Sequence, residues 1–398
     1  MKFFLLLACA CQKQKRTSLG GLIGLKNKGI VKLVALGAAI VMVIGVIAIA
    51  AGCGSGTSDT GSTGGGGASQ DNASLVGAGS SFAAPIYTKW FDAYSKVQPN
   101  VTMNYQSIGS GAGIQQFTAQ TVDWGATDAP MKDDQLSKAP GAVLHIPTVA
   151  GAVAITYNAD GVPDKIKITP EVLSKIYLGQ IKKWNDPAIK ADNPGVNFPD
   201  TDIVPVHRSD GSGTTNIFTS YLSAVSPDWK SQVSSGTEVK WPVGLGGKGN
   251  EGVTGQVKQS KGAIGYVELA YAKNNHLPYA LIKNKAGNFV EPTLDNTKVA
   301  IAGEVANVPA DLRLGSVGNP DGANAYPIAG FTYVLMYKNQ KDQAKGKAMV
   351  DFLWWGIHDG QNMASSLYYV PLPPEMVAKD EAQLKQITYN GQSLAPSS

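Results

Sequence analysis

A chain of 398 residues, 43% of them hydrophobic and 16% charged, is long enough for two ordinary domains with a large core and is not a disordered polypeptide. Its formal net charge of +4 comes mostly from the N-terminal region, where Lys13, Lys15, Arg16, Lys26, Lys28 and Lys32 occur with no acid before Asp59. The remainder holds no basic cluster, which argues against nucleic acid as a partner. Cys9, Cys11 and Cys53 all precede the first segment that could fold as a domain, so disulfides do not stabilise it.

The opening "MKFFLLLACACQKQKR" resembles a short signal with an apolar core of only a handful of residues, for which a misplaced start codon is a simple explanation. From Ile30 to Gly52 the chain is almost wholly apolar, with cations before it and small residues at its end. That pattern predicts an export signal or a membrane anchor. It ends "AIAAGC", similar to the bacterial lipobox, although Ala50 stands where a larger aliphatic residue is usual. Lipidation of Cys53 is the expectation for residues 1–53, with ordinary cleavage or an uncleaved anchor as alternatives. Residues 54–73 contain no aliphatic side chain larger than alanine and abundant glycine, the composition of a flexible tether.

From Leu75 onward apolar runs alternate with amphipathic segments. "SLVGAG" predicts a strand, Ala84 to Val97 a helix with Pro85 in its first turn, Val101 to Gln106 a strand, "GAGIQQFTAQ" a helix and "VDWGATD" a short strand. Further strands are expected in "AVLHIPTVAGAVAITYN", "DIVPVHR", "GAIGYVEL" and "PIAGFTYVLMYK", and helices over Gln343 to Ile357 and Pro374 to Ile387. This alternation predicts an α/β protein with a mainly parallel sheet.

Three times a predicted strand runs through a small-residue turn into a helix: "GAGSSFAAP", "GSGAGIQQF" and "SDGSGTTNIF". Helix N-termini expose unsatisfied N–H groups, and glycine lets a ligand approach that backbone closely. Ser81, Ser110, Ser212, Thr214 and Thr215 add uncharged hydroxyl donors, and Arg208 stands just before the third turn. One such turn is ordinary capping; three in one chain point to an anion site. The P-loop spacing is absent. Trp90, Trp124, Trp184, Trp241, Trp354 and Trp355 are expected in packing roles. His145, His207, His276 and His358 lack a second metal-type ligand at usable spacing, so neither metal nor cofactor is expected.

Taken together and in order, "GAGSSFAAPIYTKW", "YQSIGSGAG", "VDWGATDAPM", "IYLGQIKKWNDPAI", "RSDGSGTTNIFTSYL", "WPVGLGGKGNEGV" and "GAIGYVELAYA" closely resemble the phosphate-binding proteins of bacterial high-affinity phosphate ABC transporters, over about Ser74 to Pro374. The resemblance implies a two-lobed periplasmic-binding-protein fold of type II, two α/β domains joined by a hinge with the ligand in the cleft. Lobe 1 would comprise residues 74–150 plus 327–398 and lobe 2 residues 151–326, with crossings near "TVAGA" and "YPIAG". It implies phosphate donors at Ser81, Phe82, Ser110, Arg208, Ser212, Gly213 and Thr214, one acceptor carboxylate at Asp128, and Asp210 holding the Arg208 guanidinium. "GLGGKGNEG" has no ligand role in the family and is expected to be a structural turn or a surface for the permease.

Phosphate at neutral pH offers many acceptor oxygens and at least one O–H, which suits many donors and a single acceptor. Sulfate has no such proton, and oxygen facing the oxygen of Asp128 in a dry pocket would reject it by roughly 10⁴ or more. The expected function is a monomeric, lipid-anchored extracytoplasmic receptor that binds inorganic phosphate and passes it to an ABC permease. A phosphatase on the same scaffold, and a receptor for sulfate, molybdate or tungstate, are the alternatives. A phosphatase would need an activated nucleophile or metal-bound water, neither of which the turns supply.

Overall fold

The computed structural model describes residues 72–396, so the expectations for Cys53, the apolar run 30–52 and most of the tether lie outside the described residues. Among the described residues no helix is long and apolar enough to cross a membrane.

The first half alternates strand and helix as the periodicity predicts. Strand β1 (Ala73–Gly79) leads into helix α1 (Ala84–Val97), which buries Ile86, Tyr87, Trp90 and Tyr94 along one face and has a proline in its first turn. Strand β2 (Val101–Ser107), helix α2 (Ser110–Thr118) and strand β3 (Trp124–Thr127) follow. The sixteen-residue strand β4 (Val143–Asn158) is buried from His145 to Tyr157 with no alternation, as a strand covered on both faces should be. The second half contributes strand β5 (Val204–Arg208), helix α3 (Gly213–Val225), strand β6 (Leu245–Gly247), helix α4 (Gly249–Gln259) and strand β7 (Ala263–Glu268). Strand β8 (Ile328–Tyr337) and helices α5 (Gln343–Ile357) and α6 (Pro374–Leu384) then return to the first half.

The nine-stranded sheet has the order β2-β1-β3-β8-β4-β7-β5-β6, with the short strand Val317–Gly318 paired to β8. Its two wings are parallel, β1 with β2 and β3, and β5 with β6 and β7. The middle is antiparallel, β8 with β3 and β4, and β4 with β7. The expectation of a mainly parallel sheet is therefore corrected to a mixed one. The cause is β4, whose first part pairs with β8 and whose last part, from Val153, pairs with β7. One strand thus belongs to both halves.

An irregularity interrupts the ladder in the middle of the sheet. Pro147 in β4 lies opposite Tyr333, and the next pair is Thr332 with Val149, so Thr148 is an extra, bulged residue. Proline offers no N–H to the ladder, and bulges re-aim the side chains beside them. The core around this sheet is rich in aromatics. Trp90, Trp124 and Trp184 are fully buried, with Trp90 Nε1 donating to Gly360 O at 2.9 Å and Trp184 Nε1 to Gly262 O at 3.0 Å. Trp241, Trp354 and Trp355 are half-buried and pack against the same cluster.

Candidate anion-binding site

The three small-residue turns meet where the two halves of the sheet adjoin. Residues 80–83 bend between β1 and α1, where Ala83 N donates to Ser80 Oγ at 3.1 Å. Gly109, at φ 88°, caps α2, and a side chain there would strike the Asp210 carboxylate and Gly211 O. The third turn caps α3 through Ser212, whose Oγ accepts from Thr215 N at 3.0 Å.

Across the junction the turns touch directly. Gly213 N donates to Ser110 Oγ at 3.1 Å, and Gly111 N donates to Gly211 O at 2.8 Å. A Cβ on Gly213 would sit 2.5 Å from Asp128 Oδ2 and 2.6 Å from Ser110 Oγ, so only glycine fits this approach. Ser81, Phe82, Ser110, Asp128, Arg208, Ser212 and Thr214 are all buried.

The charged groups are deployed in two ways. Arg208 is gripped by Asp210 through Nε to Oδ1 at 2.7 Å and Nη2 to Oδ2, while Nη1 reaches Thr214 Oγ1 at 3.4 Å. This leaves further N–H groups of the planar fork for an anion. Asp210 Oδ1 also accepts from Gly249 N at 3.0 Å, which fixes the carboxylate in turn. Asp128 has no cation in contact. Its Oδ1 accepts from Ser80 Oγ and, at 2.8 Å, from Thr332 Oγ1, and its Oδ2 faces Ser110 Oγ at 3.5 Å. Burial pushes its pKa up to about 6, against the pull of those hydroxyls and of the Arg208 charge.

A fourth helix start borders the site, where the "GLGGKGNEG" turn acts structurally by holding Asp210, Ser81 and Thr214. Asn250, in the first turn of α4, donates from N at 3.0 Å and from Nδ2 at 2.9 Å to Ser81 Oγ, and from Nδ2 at 3.1 Å to Thr214 Oγ1. Ser81 accepts both bonds and keeps its own proton to donate. Thr215 turns elsewhere, pairing with Tyr266 OH at 2.6 Å. The Ser212 amide is committed to Thr237 O at 2.9 Å, while its Oγ accepts from Thr215 N, so neither bond uses its hydroxyl proton.

Residues 60–355 match the family model described as a PBP superfamily domain. The chain is 45% identical over 309 residues to the phosphate-binding protein PstS of Xylella fastidiosa, covering 77% of this chain and 84% of that protein. It belongs to the PstS family of phosphate-binding proteins. The PstS of Pasteurella multocida is also 45% identical, over 313 residues, 78% of this chain and 90% of the relative. Among solved structures, the phosphate-binding protein from Stenotrophomonas maltophilia superposes with a TM-score of 0.60 at 19% identity, over 78% of this chain and 93% of that one. That likeness establishes the shared two-lobed architecture.

Three residues of this PstS-family site escaped the reading of the sequence. Ser80 lies inside the first turn, but the resemblance points to its neighbour Ser81. Asn250 carried a weak signal, a small-residue stretch before a helix. Thr332 carried none, because its place depends on which strand lies beside β3.

Proposed function

We propose that the chain is an extracytoplasmic receptor that binds inorganic phosphate between its two halves and delivers it to the permease of an ABC transporter. The arrangement that carries this reading is a ring of neutral donors and one guanidinium around a single buried acceptor, Asp128. Ser81, Phe82, Ser110, Arg208, Ser212 and Thr214 would donate to the ion, the Gly213 N–H would turn to it from Ser110 Oγ, and Asp128 Oδ2 would accept its P–OH proton. Residues 74–150 plus 327–398 form one lobe and 151–326 the other in this reading. The places where β4 changes partners and where β8 begins support those crossings. Closing the lobes over the ion is the step that a permease would sense.

Such a receptor makes no chemical bond. The histidine nearest the turns, His207, stacks on Trp241 at 4.8 Å between centroids, and its Nδ1 lies 3.0 Å from Arg208 O. It is therefore not placed to activate a nucleophile. Lipid attachment at Cys53 would hold the monomer to the outer face of the membrane, with residues 54–73 as tether.

The test is calorimetric titration of phosphate, and in parallel sulfate, into the full chain after unfolding and refolding to strip carried-over ligand. One-to-one phosphate binding with no heat from sulfate is expected. Heat from sulfate alone would make the protein a receptor for another oxyanion, and silence toward both would send the protein to a phosphatase assay.

A further inference from the structure

The carboxyl group of Asp128 is supported asymmetrically. Oδ1 takes two hydroxyl donors, Ser80 from the turn before α1 and Thr332 from β8, whereas Oδ2 points at Ser110 and Gly213. Both supporting hydroxyls are fully buried and themselves held in place. Ser80 Oγ accepts from Ala83 N at 3.1 Å. The Thr332 carbonyl accepts from Thr148 Oγ1 at 3.2 Å, and Thr148 is the bulged residue opposite. With its proton spent there, Thr148 accepts from Tyr87 OH at 2.8 Å. The bulge beside Pro147 thus sets the backbone from which Thr332 reaches Asp128.

We propose that Ser80 and Thr332 are positioning residues for ligand discrimination: by saturating Oδ1 with hydroxyl donors they keep Asp128 an ionised acceptor whose Oδ2 alone meets the ligand. The inference rests on the receptor reading above and deepens it. A protonated Asp128 would offer an O–H where the site needs an acceptor, and would then welcome a fully ionised oxyanion. Burial already pushes this acid up to about 6, so the margin at neutral pH is narrow. Hydrogen bonds that favour the charged form widen that margin.

Other groups act on Asp128 from elsewhere: Arg208, on β5, favours ionisation across the site and Ser110 does so at Oδ2, both more weakly than the two hydroxyls, while Glu268, at the end of β7, is itself pushed well above the usual carboxylate range by burial. Tyr87 on α1, Tyr105 on β2, Tyr333 on β8 and Tyr369 are held far above their ordinary range by burial and stay neutral. The two hydroxyls are the contacts that act on Oδ1 itself.

Sulfate does not titrate between pH 5 and 8.5, so its binding to the full chain, followed against pH, reports the protonation of Asp128. In the wild type, sulfate binding should emerge only as the pH falls through about 6. Thr332→Val, nearly isosteric, should move that onset upward by about one pH unit, a tenfold change in the protonation equilibrium. Ser80→Ala should act in the same direction, the double variant further, and Thr332→Ser should restore the wild-type profile. Variants that weaken both ions equally at every pH, with the sulfate onset unmoved, would reduce Ser80 and Thr332 to packing and overturn the inference while leaving the receptor intact. A wild-type chain that binds no phosphate at any pH would instead overturn the receptor reading, and this inference with it.

Discussion

On the β5–α3 side of the site a cation is held by an acid two residues away, and the Arg208–Asp210 pair is nearly self-neutralising before any ligand arrives. On the β3–β8 side an acid is held with no cation in contact, by the hydroxyls of Ser80 and Thr332. Counted together, one guanidinium faces two carboxylates, so the charges alone do not favour an anion. On the receptor reading the attraction comes from oriented N–H and O–H groups at three helix starts, with the start of α4 holding Ser81 and Asp210 in place, and these cost little to reorganise because the fold has already ordered them. On that reading the difference between the two sides gives affinity to one and discrimination to the other.

Removing the acid should break that division most strongly. Asp128→Asn replaces an acceptor by a group that can donate, and the preference for phosphate over sulfate should collapse by roughly 10³ to 10⁴. Competition titrations with both ions would measure it; a variant that still excludes sulfate would transfer the role elsewhere.

The same substitution should alter stability in a defined pH window. Asp128 rises from its ordinary value to about 6 on folding, so between pH 4 and 6 the folded chain binds more protons than the unfolded one. Stability from this group is therefore lost as pH rises through that window, by about 3 kcal/mol in all. Other carboxylates trend the opposite way, so the readout is the difference between variant and wild type in phosphate-free denaturant unfolding. Asp128→Asn should gain on the wild type from pH 4 to 6 and then level off. A difference that stays flat with pH would mean the acid is not held in the dry setting seen here.

On the other side, Arg208→Ala should weaken phosphate binding by about 1.5 to 3 kcal/mol, the scale of a charged hydrogen bond, with the preference over sulfate largely kept. Loss of discrimination together with affinity would show that the two sides are not separable.

How far this was legible in the sequence follows the same line. The Arg208 turn is local: the cation, its acid and the helix cap lie within a few residues, and their types alone suggest an anion. Strand and helix positions were equally local, and β4, α1 and α5 fall where periodicity put them. The surroundings of Asp128 are not local. Ser80 is separated from it by 48 residues and Thr332 by 204, and Thr332 arrives only because β8 runs antiparallel beside β3 with Tyr333 opposite Thr127. Apolar periodicity predicts that a strand exists but not its neighbour or direction, which is also why the sheet was expected to be mainly parallel. Asn250 was hidden for the same reason, since its partners lie on two other turns.

The smallest expected effect bears on the origin of affinity. If neutral dipoles hold the ion and Arg208 is already paired, long-range attraction contributes little, and from Asp59 onward acids outnumber bases. Raising sodium chloride from about 0.05 to 0.5 M shortens the screening length from roughly 13 to 4 Å, which weakens distant charges but hardly touches groups buried at hydrogen-bond distance. Phosphate affinity, measured by calorimetry at fixed pH, should change by less than about threefold. A steep salt dependence would place the attraction in charges outside the site, with the basic N-terminal residues as the first to neutralise. The near balance of Arg208 and Asp210 would then matter less than the field of the whole chain.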